Sequence, residues 1–231
     1  MIPEMGRLRF IQTALLLLVG ASVAAAHEGG KPHADEPHVL LIGDSISIGY
    51  TPAVTRILAD EAVVLHHKGN AQHTGTGLQK IDQWIGDTKW DVIHFNWGLW
   101  DLCYRHPDSK AQGKRDKEKG TLTTTPEQYG KNIEELVRRL KKTKAKLIWA
   151  HTTVVPPGEV GRIEGDAAKY NAIASEIMKR HGIPINDLHT LSAGFPPELF
   201  VKPGDVHFTK AGSEKLAEQV ADSVRAALKA G

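Results

Sequence analysis

The stretch Val39-Leu40-Leu41-Ile42-Gly43-Asp44-Ser45-Ile46-Ser47 decides the fold of this chain. A short apolar run ends in Gly-Asp-Ser, and a helical pattern follows from about Ser47. This order places a serine hydroxyl between the carboxyl end of a strand and the start of a helix. Free backbone N–H groups and the positive end of the helix dipole favour a developing oxyanion there. The stretch therefore predicts that Ser45 is a nucleophile.

A second polar stretch, Gly204-Asp205-Val206-His207-Phe208-Thr209, also precedes an amphipathic helix. A serine, a histidine and a neighbouring acid are the components of an acyl-transfer site. Residues i and i+2 of an extended turn point the same way, so Asp205 can reach the ring of His207. The sequence predicts Ser45 as nucleophile, His207 as general base and Asp205 as the acid that orients His207.

The remaining patterns alternate between strands and helices. Strands are predicted at 38–42, 62–65, 91–96, 146–150 and 183–186. Helices are predicted at 47–60, after a loop over 69–77, and after the caps Thr125, Asp166 and Thr209. This alternation predicts a five-stranded parallel sheet covered on both faces, an α/β fold with three α/β/α layers. The charged segment 104–124 is expected to be an insertion that forms a mobile lid or an exposed loop.

The first 26 residues have the pattern of a cleaved secretory signal. Arg7 and Arg9 precede an apolar run over 11–23, and Ala24-Ala25-Ala26 supplies the small residues that a signal peptidase needs. We expect cleavage after Ala26 and a periplasmic or secreted protein without stable membrane insertion. A retained N-terminal membrane anchor is the alternative, although the apolar run is short for a span.

The rest of the composition indicates one globular domain. A flexible leader is predicted over 27–37 and a single domain over 38–231. The formal net charge of +2 gives no electrostatic reason to expect a nucleic-acid partner, and we expect a monomer. The lone cysteine, Cys103, has no disulfide partner in the chain, which fits a bacterial exported protein.

Six of the twelve histidines form two groups, one over 27–38 and one over 66–73. Neither group has the compact ligand spacing of a metal site. No metal and no cofactor is therefore expected, and loose binding of copper or zinc by the leader is the alternative.

On the residues 43–47 and 205–207 the chain resembles the SGNH, or GDSL, hydrolases. Gly43-Asp44-Ser45-Ile46-Ser47 is similar to the first sequence block of that family, and Asp205-Val206-His207 is similar to the fifth. The resemblance covers roughly 39–228, and the phrases at 90–99 and 185–188 are similar to secreted carbohydrate-esterase-like members. It implies a flavodoxin-like α/β/α fold and hydrolysis of esters through an acyl-serine.

The chain departs from the family in its third block, Gly-x-Asn-Asp, whose asparagine donates to the oxyanion. Here Gly98-Leu99-Trp100-Asp101 carries tryptophan in that place. Asn96 lies two residues upstream, about 6.6 Å away along a strand, and Asn70 follows Gly69 in the second-block region. The expected oxyanion donors are the N–H groups of Ser45 and Gly69 with the side chain of Asn70 or of Asn96.

The fifth block departs in spacing. The acid of the family usually lies three residues before the histidine, where this chain has Gly204, whereas Asp205 lies two before. Gly204→Asp is therefore expected to offer the usual spacing and to rescue, in part, a variant that lacks the Asp205 carboxylate. If Asp205 does not orient His207, Asp187 is the next candidate acid.

Three further side chains are candidates for substrate binding. Trp97 and Trp100 are expected to stack on a sugar, with core packing as the alternative, and Asp101 is expected to cap a loop. Arg162 is expected to contact an acidic substrate or to be a solvated loop charge. The resemblance implies a small acyl ester, such as acetyl on a polysaccharide. The alternatives are a lysophospholipase or thioesterase of the same superfamily and a non-catalytic carbohydrate-binding relative.

Overall fold

The structure is a computed structural model that describes residues 36–230. Its strands are β1 (His38–Ile42), β2 (Val63–His66), β3 (Val92–Phe95), β4 (Tyr104–Arg105), β5 (Thr121–Leu122), β6 (Lys146–Ala150) and β7 (Ile185–Asn186). Its α-helices are α1 (Ser45–Ile57), α2 (Thr74–Ile85), α3 (Pro126–Leu140), α4 (Asp166–His181), α5 (Leu188–Ala193) and α6 (Lys210–Lys229). The predicted signal sequence and residues 27–35 of the predicted leader lie outside the described residues.

Five strands form one parallel sheet in the order β2-β1-β3-β6-β7. Strand β1 lies between β2 and β3, and it contacts both of them. Its apolar run Val39–Ile42 suits this central position, because these residues are almost fully buried. The chain moves from β1 to β2 on one side and then crosses to β3 on the other. Ligands bind outside the carboxyl ends of the strands where the order reverses in this way. That point lies between β1, which leads to Ser45, and β3, which leads to Asn96.

Helices cover the sheet on both faces, as the sequence predicts. Helix α1 packs against α6, while α2, α3 and α4 pack side by side. The buried stripe of α3, which includes Ile133, Leu136, Val137 and Leu140, explains why this helix binds the sheet. The predicted three-layer α/β/α architecture is confirmed.

Capping residues set where the helices begin. Thr125 and Thr209 cap α3 and α6 as predicted, each accepting a hydrogen bond from a backbone N–H of the first turn. Helix α1 begins two residues before the predicted start because the Asp44 carboxylate accepts from the N–H of Ile46 at 3.0 Å. The prediction for Asp166 is wrong, since it is the first residue of α4 and Gly165 is the cap.

Helix α2 begins inside the predicted loop. Its cap residue, His73, makes no side-chain capping bond, but the distant Asp101 carboxylate accepts from the N–H of Thr74 at 2.9 Å and from its hydroxyl at 2.6 Å. Gly77 lies within the helix, and a Cβ there would come within 2.8 Å of the Trp97 ring. Tertiary contacts, rather than local sequence, therefore start this helix.

The segment 104–124 is not the exposed loop that its charges predict. Strands β4 and β5 pair in an antiparallel hairpin. The N–H of Tyr104 donates to the carbonyl of Gly161 at 2.7 Å, and the N–H of Lys117 donates to that of Val160 at 2.9 Å. Backbone hydrogen bonds thus attach this hairpin to the loop between β6 and α4. Within residues 36–230, no helix has both the length and the apolar content to cross a membrane.

The buried carboxyl group of Asp101 should make the free energy of unfolding depend on pH. Burial raises the pKa of Asp101 to about 7, although hydrogen bonds from Thr74 lower it. The folded-state pKa thus lies above the unfolded value of about 3.9. The folded protein then binds more protons than the unfolded chain between these values, so this group's contribution to stability is lost as the pH rises from about 4 through about 7. We expect Asp101→Asn to gain stability relative to the wild type across that range.

Urea unfolding of both proteins at about pH 4 and about pH 7 measures this difference. Asp60→Asn, at an exposed position, is the matched control. The prediction would be contradicted if the free energies of unfolding of the wild type and Asp101→Asn differed by the same amount at both pH values.

Candidate active site

The structure brings together the serine, histidine and aspartate that the sequence singles out. Ser45 Oγ lies 2.8 Å from His207 Nε2, and His207 Nδ1 lies 2.7 Å from Asp205 Oδ1. An ionised carboxylate can only accept, so Nδ1 carries the proton and Nε2 is left to accept from the Ser45 hydroxyl. This is the arrangement of a serine nucleophile, its base and the group that orients the base.

Ser45 owes its position to the start of α1. It is the first residue of the helix, so its N–H belongs to the first turn, where backbone donors have no partner within the helix. Gly43 leaves the space that this turn needs, because a Cβ there would lie 2.7 Å from Ser47 Oγ. A developing negative charge beside Ser45 would therefore meet a free N–H and the positive end of a helix.

Asp205 is ionised by its contacts with His207. Burial raises the pKa of Asp205, but hydrogen bonds from the backbone N–H and the ring of His207, with the charges of His207 and Arg115, bring it below its usual value. The backbone N–H of His207 donates to the same Oδ1 at 3.0 Å. A carboxylate that is charged and fixed in this way holds the imidazole and stabilises its protonated form.

Gly204 explains why the acid lies two residues before the histidine. Its φ of +72° is in the left-handed region, and a Cβ there would lie 2.8 Å from the carbonyl oxygen of Gly158. An aspartate at this position would have to displace the backbone of a neighbouring loop. The expectation that Gly204→Asp restores a usable acid is therefore wrong.

Asp187, the alternative acid, belongs to a different group. Its carboxylate lies 3.0 Å from His151 Nδ1, and His151 Nε2 lies 2.8 Å from Ser175 Oγ. These contacts match those of the first triad, and nothing in the sequence indicates them. However, Ser175 lies in the middle of α4, where backbone N–H groups are bonded within the helix, and its hydroxyl donates to the carbonyl of Asn171. Ser175 therefore lacks the free backbone N–H groups that an oxyanion needs, and the three side chains join the ends of β6 and β7 to α4.

Of the two candidate side-chain donors for an oxyanion, Asn96 uses one of its two Nδ2 protons elsewhere. It is buried, and its Nδ2 donates to the carbonyl of Ala150 at 2.7 Å. Asn70 is half-buried, and its Oδ1 accepts from the N–H of Gln72 at 2.8 Å, which fixes the amide and leaves Nδ2 without a bond to any described residue. Gly69, with φ +90°, is exposed beside it. The structure favours Asn70 over Asn96.

Two of the three candidate substrate contacts are inaccessible. Trp97 is 1% exposed and packs edge-on against Phe95, so it is a core residue. Arg162 is also buried, and it donates to the carbonyl of Leu99 at 2.6 Å and to Glu159 at 2.9 Å. Substrate contact is the wrong expectation for both. Trp100 alone of the three is partly exposed, with the guanidinium of Arg105 4.6 Å from its ring centre.

Two histidines at the end of β2 support the backbone around Ser45. His66 Nε2 lies 2.7 Å from Ser47 Oγ, and His67 Nε2 lies 3.0 Å from the carbonyl oxygen of Gly43. Burial lowers the pKa of His66 to about 4, so it is neutral at neutral pH. Over residues 36–230, no group of histidine, cysteine or acidic side chains is arranged to hold a metal ion. The support that Ser47 and His66 give to this turn is not evident from the sequence.

Fold and site together define a serine hydrolase that acts on ester bonds. The chain belongs to the GDSL-like Lipase/Acylhydrolase family, whose pattern matches residues 41–215. This membership confirms the resemblance to SGNH hydrolases. It favours an enzyme over a non-catalytic carbohydrate-binding relative.

Solved structures with the same fold include several acyl hydrolases. The acetyl xylan esterase AlAXEase has a TM-score of 0.65 and 16% identity, over 81% of this chain and 99% of that one. A lipase/acylhydrolase from Enterococcus faecalis has a TM-score of 0.66 and 20% identity, over 82% and 96%. TesA has a TM-score of 0.59 and 15% identity, over 82% and 99%. Comparison with curated proteins gives no match.

The contact between Asp205 and His207 predicts the effect of removing the acid. We expect Asp205→Asn to lower kcat by up to ~10⁴-fold, which is the magnitude known for the serine-protease acid, with little change in KM. Asp187→Asn removes the carboxylate from the other Ser-His-Asp group and is the matched control, with kcat close to that of the wild type. Steady-state hydrolysis of para-nitrophenyl acetate by the three proteins measures both constants. A loss below about tenfold in Asp205→Asn would mean that another group orients His207.

Proposed function

We propose that this protein is an exported serine esterase that removes small acyl groups, chiefly acetyl, from carbohydrate. The observation that carries the proposal is the continuous hydrogen-bonded chain from Ser45 Oγ through His207 to Asp205, with contacts of 2.8 and 2.7 Å at the carboxyl edge of the sheet. Export rests on the signal pattern of residues 1–26. A mature protein that begins at His27 on N-terminal sequencing would support it.

In the first half of the reaction, Ser45 Oγ attacks the ester carbonyl carbon while His207 Nε2 takes the hydroxyl proton. The carbonyl oxygen becomes an oxyanion, which the N–H groups of Ser45 and Gly69 and the Asn70 side chain stabilise. The carbon–oxygen bond to the alcohol then breaks. The imidazolium gives its proton to the departing oxygen, so the alcohol leaves neutral and the acyl group stays on Ser45.

In the second half, water takes the place of the alcohol. His207 Nε2 removes a proton from the water as its oxygen attacks the acyl carbon, and the same donors hold the second oxyanion. Collapse of this intermediate breaks the bond to Ser45 Oγ, which recovers its proton from His207. The Asp205 carboxylate stays ionised throughout and stabilises the imidazolium in both halves.

A solved structure with the same fold supports a small acyl group. AlAXEase is an acetyl xylan esterase, which favours an acetyl group on a polysaccharide. A cavity of about 10 Å³ lies among Ile46, Leu99, Thr152 and neighbouring side chains. Ser45 does not line this cavity, and its volume is near the minimum that holds one water molecule, so it has no place for an acyl chain of any length.

A second candidate is a thioesterase or lysophospholipase with a long acyl substrate. One observation favours it, an apolar groove of about 400 Å³ beside the loop that carries Asp205. Phe195, Phe200, Pro156 and Pro203 contribute to its walls. Gly204 lines the groove, but Ser45, Asp205 and His207 do not, so we rank this candidate below the first.

Removal of the nucleophile tests the mechanism. We expect Ser45→Ala to lose nearly all hydrolysis of para-nitrophenyl acetate with an unchanged melting temperature, because the side chain is half-buried and its bond is to His207. Ser175→Ala is the matched control from the second Ser-His-Asp group and should retain activity. A serine-directed fluorophosphonate should label the wild type at Ser45. Labelling of another serine, or full turnover by Ser45→Ala, would refute the assignment.

Acyl-chain length separates the two candidates. With para-nitrophenyl esters from acetate to octanoate, the proposed preference for acetyl predicts that kcat/KM falls by at least about tenfold. Phe200→Ala, in the apolar groove, should leave the profile unchanged. A rise in kcat/KM with chain length that Phe200→Ala abolishes would establish the long-chain candidate instead.

A further inference from the structure

Trp100 and Arg105 form a contact that neither the hydrolytic mechanism nor the core requires. Trp100 stands where the family has its oxyanion asparagine, and the Arg105 guanidinium lies 4.6 Å from its ring centre, a cation–π distance. Arg105 also donates from one terminal nitrogen to the carbonyl of Gly113. The indole and the carbonyl hold the guanidinium in place, and its remaining N–H groups are left for another partner.

Arg105 belongs to a group of arginines whose carboxylate partners are taken by the other members. Three guanidiniums, those of Arg105, Arg115 and Arg162, lie close enough to influence one another. The Glu159 carboxylate also acts on Arg105, but it pairs with Arg115 at 2.8 Å and with Arg162 at 2.9 Å. Arg115 and Arg162 further interact with the charges of Asp205 and Asp44. Arg105 is half-buried and forms no ion pair with any residue in the range 36–230. A partly desolvated cation of this kind favours an anionic ligand.

Arg105 lies near the candidate active site, because the charge of Arg115 acts both on Arg105 and on Asp205. Leu99, next to Trp100, shares the wall of the small cavity with Ile46, the residue after the nucleophile. On the other side, burial and then the charge of Arg105 lower the pKa of His73. His73 lies three residues after Asn70, in the loop that supplies the candidate oxyanion donors.

We propose that Arg105, held by Trp100, binds a carboxylate on the substrate, so that the substrate is an acylated polysaccharide containing uronic acid residues. This inference rests on the proposed function, because it names the sugar that carries the ester. The guanidinium presents paired N–H groups in the geometry that a carboxylate accepts, and Trp100 restricts its rotamers before binding.

Binding of an unacylated oligosaccharide tests the subsite without relying on esterase activity. The probe is trigalacturonate, and its control is the same trisaccharide with each carboxyl reduced to an alcohol. By calorimetry, we expect the wild type to bind the acidic probe at least tenfold more tightly. Arg105→Gln should weaken that binding by roughly tenfold to a hundredfold, the range for loss of a charged hydrogen-bond partner. Lys110→Gln removes an exposed charge from the same hairpin and should change nothing.

One further variant and one further probe make the test specific. Arg105→Lys keeps the charge without the planar fork and should recover part of the affinity lost in Arg105→Gln. A galactose trisaccharide bearing sulfates in place of the carboxyls should bind more weakly than trigalacturonate. Equal binding of the acidic and reduced probes, or an equal affinity in Arg105→Gln and the wild type, would overturn the inference. A preference for the sulfated probe would overturn the assignment to uronic acids.

Deacetylation separates a failure of this inference from a failure of the proposed function. Acetylated polygalacturonan and its acetylated, carboxyl-reduced form are compared within each variant, so a general loss of activity cancels in the ratio. We expect kcat/KM to favour the acidic polymer about tenfold in the wild type and less than about threefold in Arg105→Gln. Equal rates on both polymers would support the esterase function and contradict the uronic acid subsite. Binding of trigalacturonate without hydrolysis of any ester would support the subsite and contradict the esterase function.

Discussion

The site depends on the hydrogen bond between the Asp44 carboxylate and the N–H of Ile46. This bond starts α1 at Ser45, so the nucleophile occupies the first helical position and its N–H is free of the helix. The carboxylate is buried, and burial raises its pKa even though the Ile46 bond and the charges of Arg162 and His207 oppose this. Asp44, which fixes the turn before α1, therefore also interacts electrostatically with His207 and with the buried Arg162.

The two Ser-His-Asp groups show that hydrogen-bond distances alone do not decide whether a serine can act as a nucleophile. Both join a hydroxyl to Nε2 and a carboxylate to Nδ1 at between 2.7 and 3.0 Å. Ser45 begins a helix at the edge of the sheet, whereas Ser175 lies within α4. The difference lies in the backbone around the serine, because free N–H groups stabilise an oxyanion and bonded ones do not.

Local signals make much of this structure predictable. The buried run of β1, the threonine caps of α3 and α6, and the polar stretches around Ser45 and His207 each act within a few residues, so the sequence carries them directly. The start of α2 depends on Asp101, which is 27 residues from Thr74, and therefore leaves no local pattern. The expectations for Trp97 and Arg162 are wrong for the same reason: their burial is decided by Gly77 and Glu159, partners that spacing does not reveal.

The contact between α1 and α6 has a consequence for how activity is lost. Ser45 begins α1, and His207 lies three residues before α6, so the bond between them spans 162 positions of the chain and is made when these helices pack. Proteins open locally in cooperative units, which often coincide with single packed elements. Detachment of α6 would separate the base from the nucleophile while the sheet and the α2–α4 layer remained folded. Thermal inactivation would then precede the melting of the sheet, and the durability of the enzyme would be set by one helix docking on another.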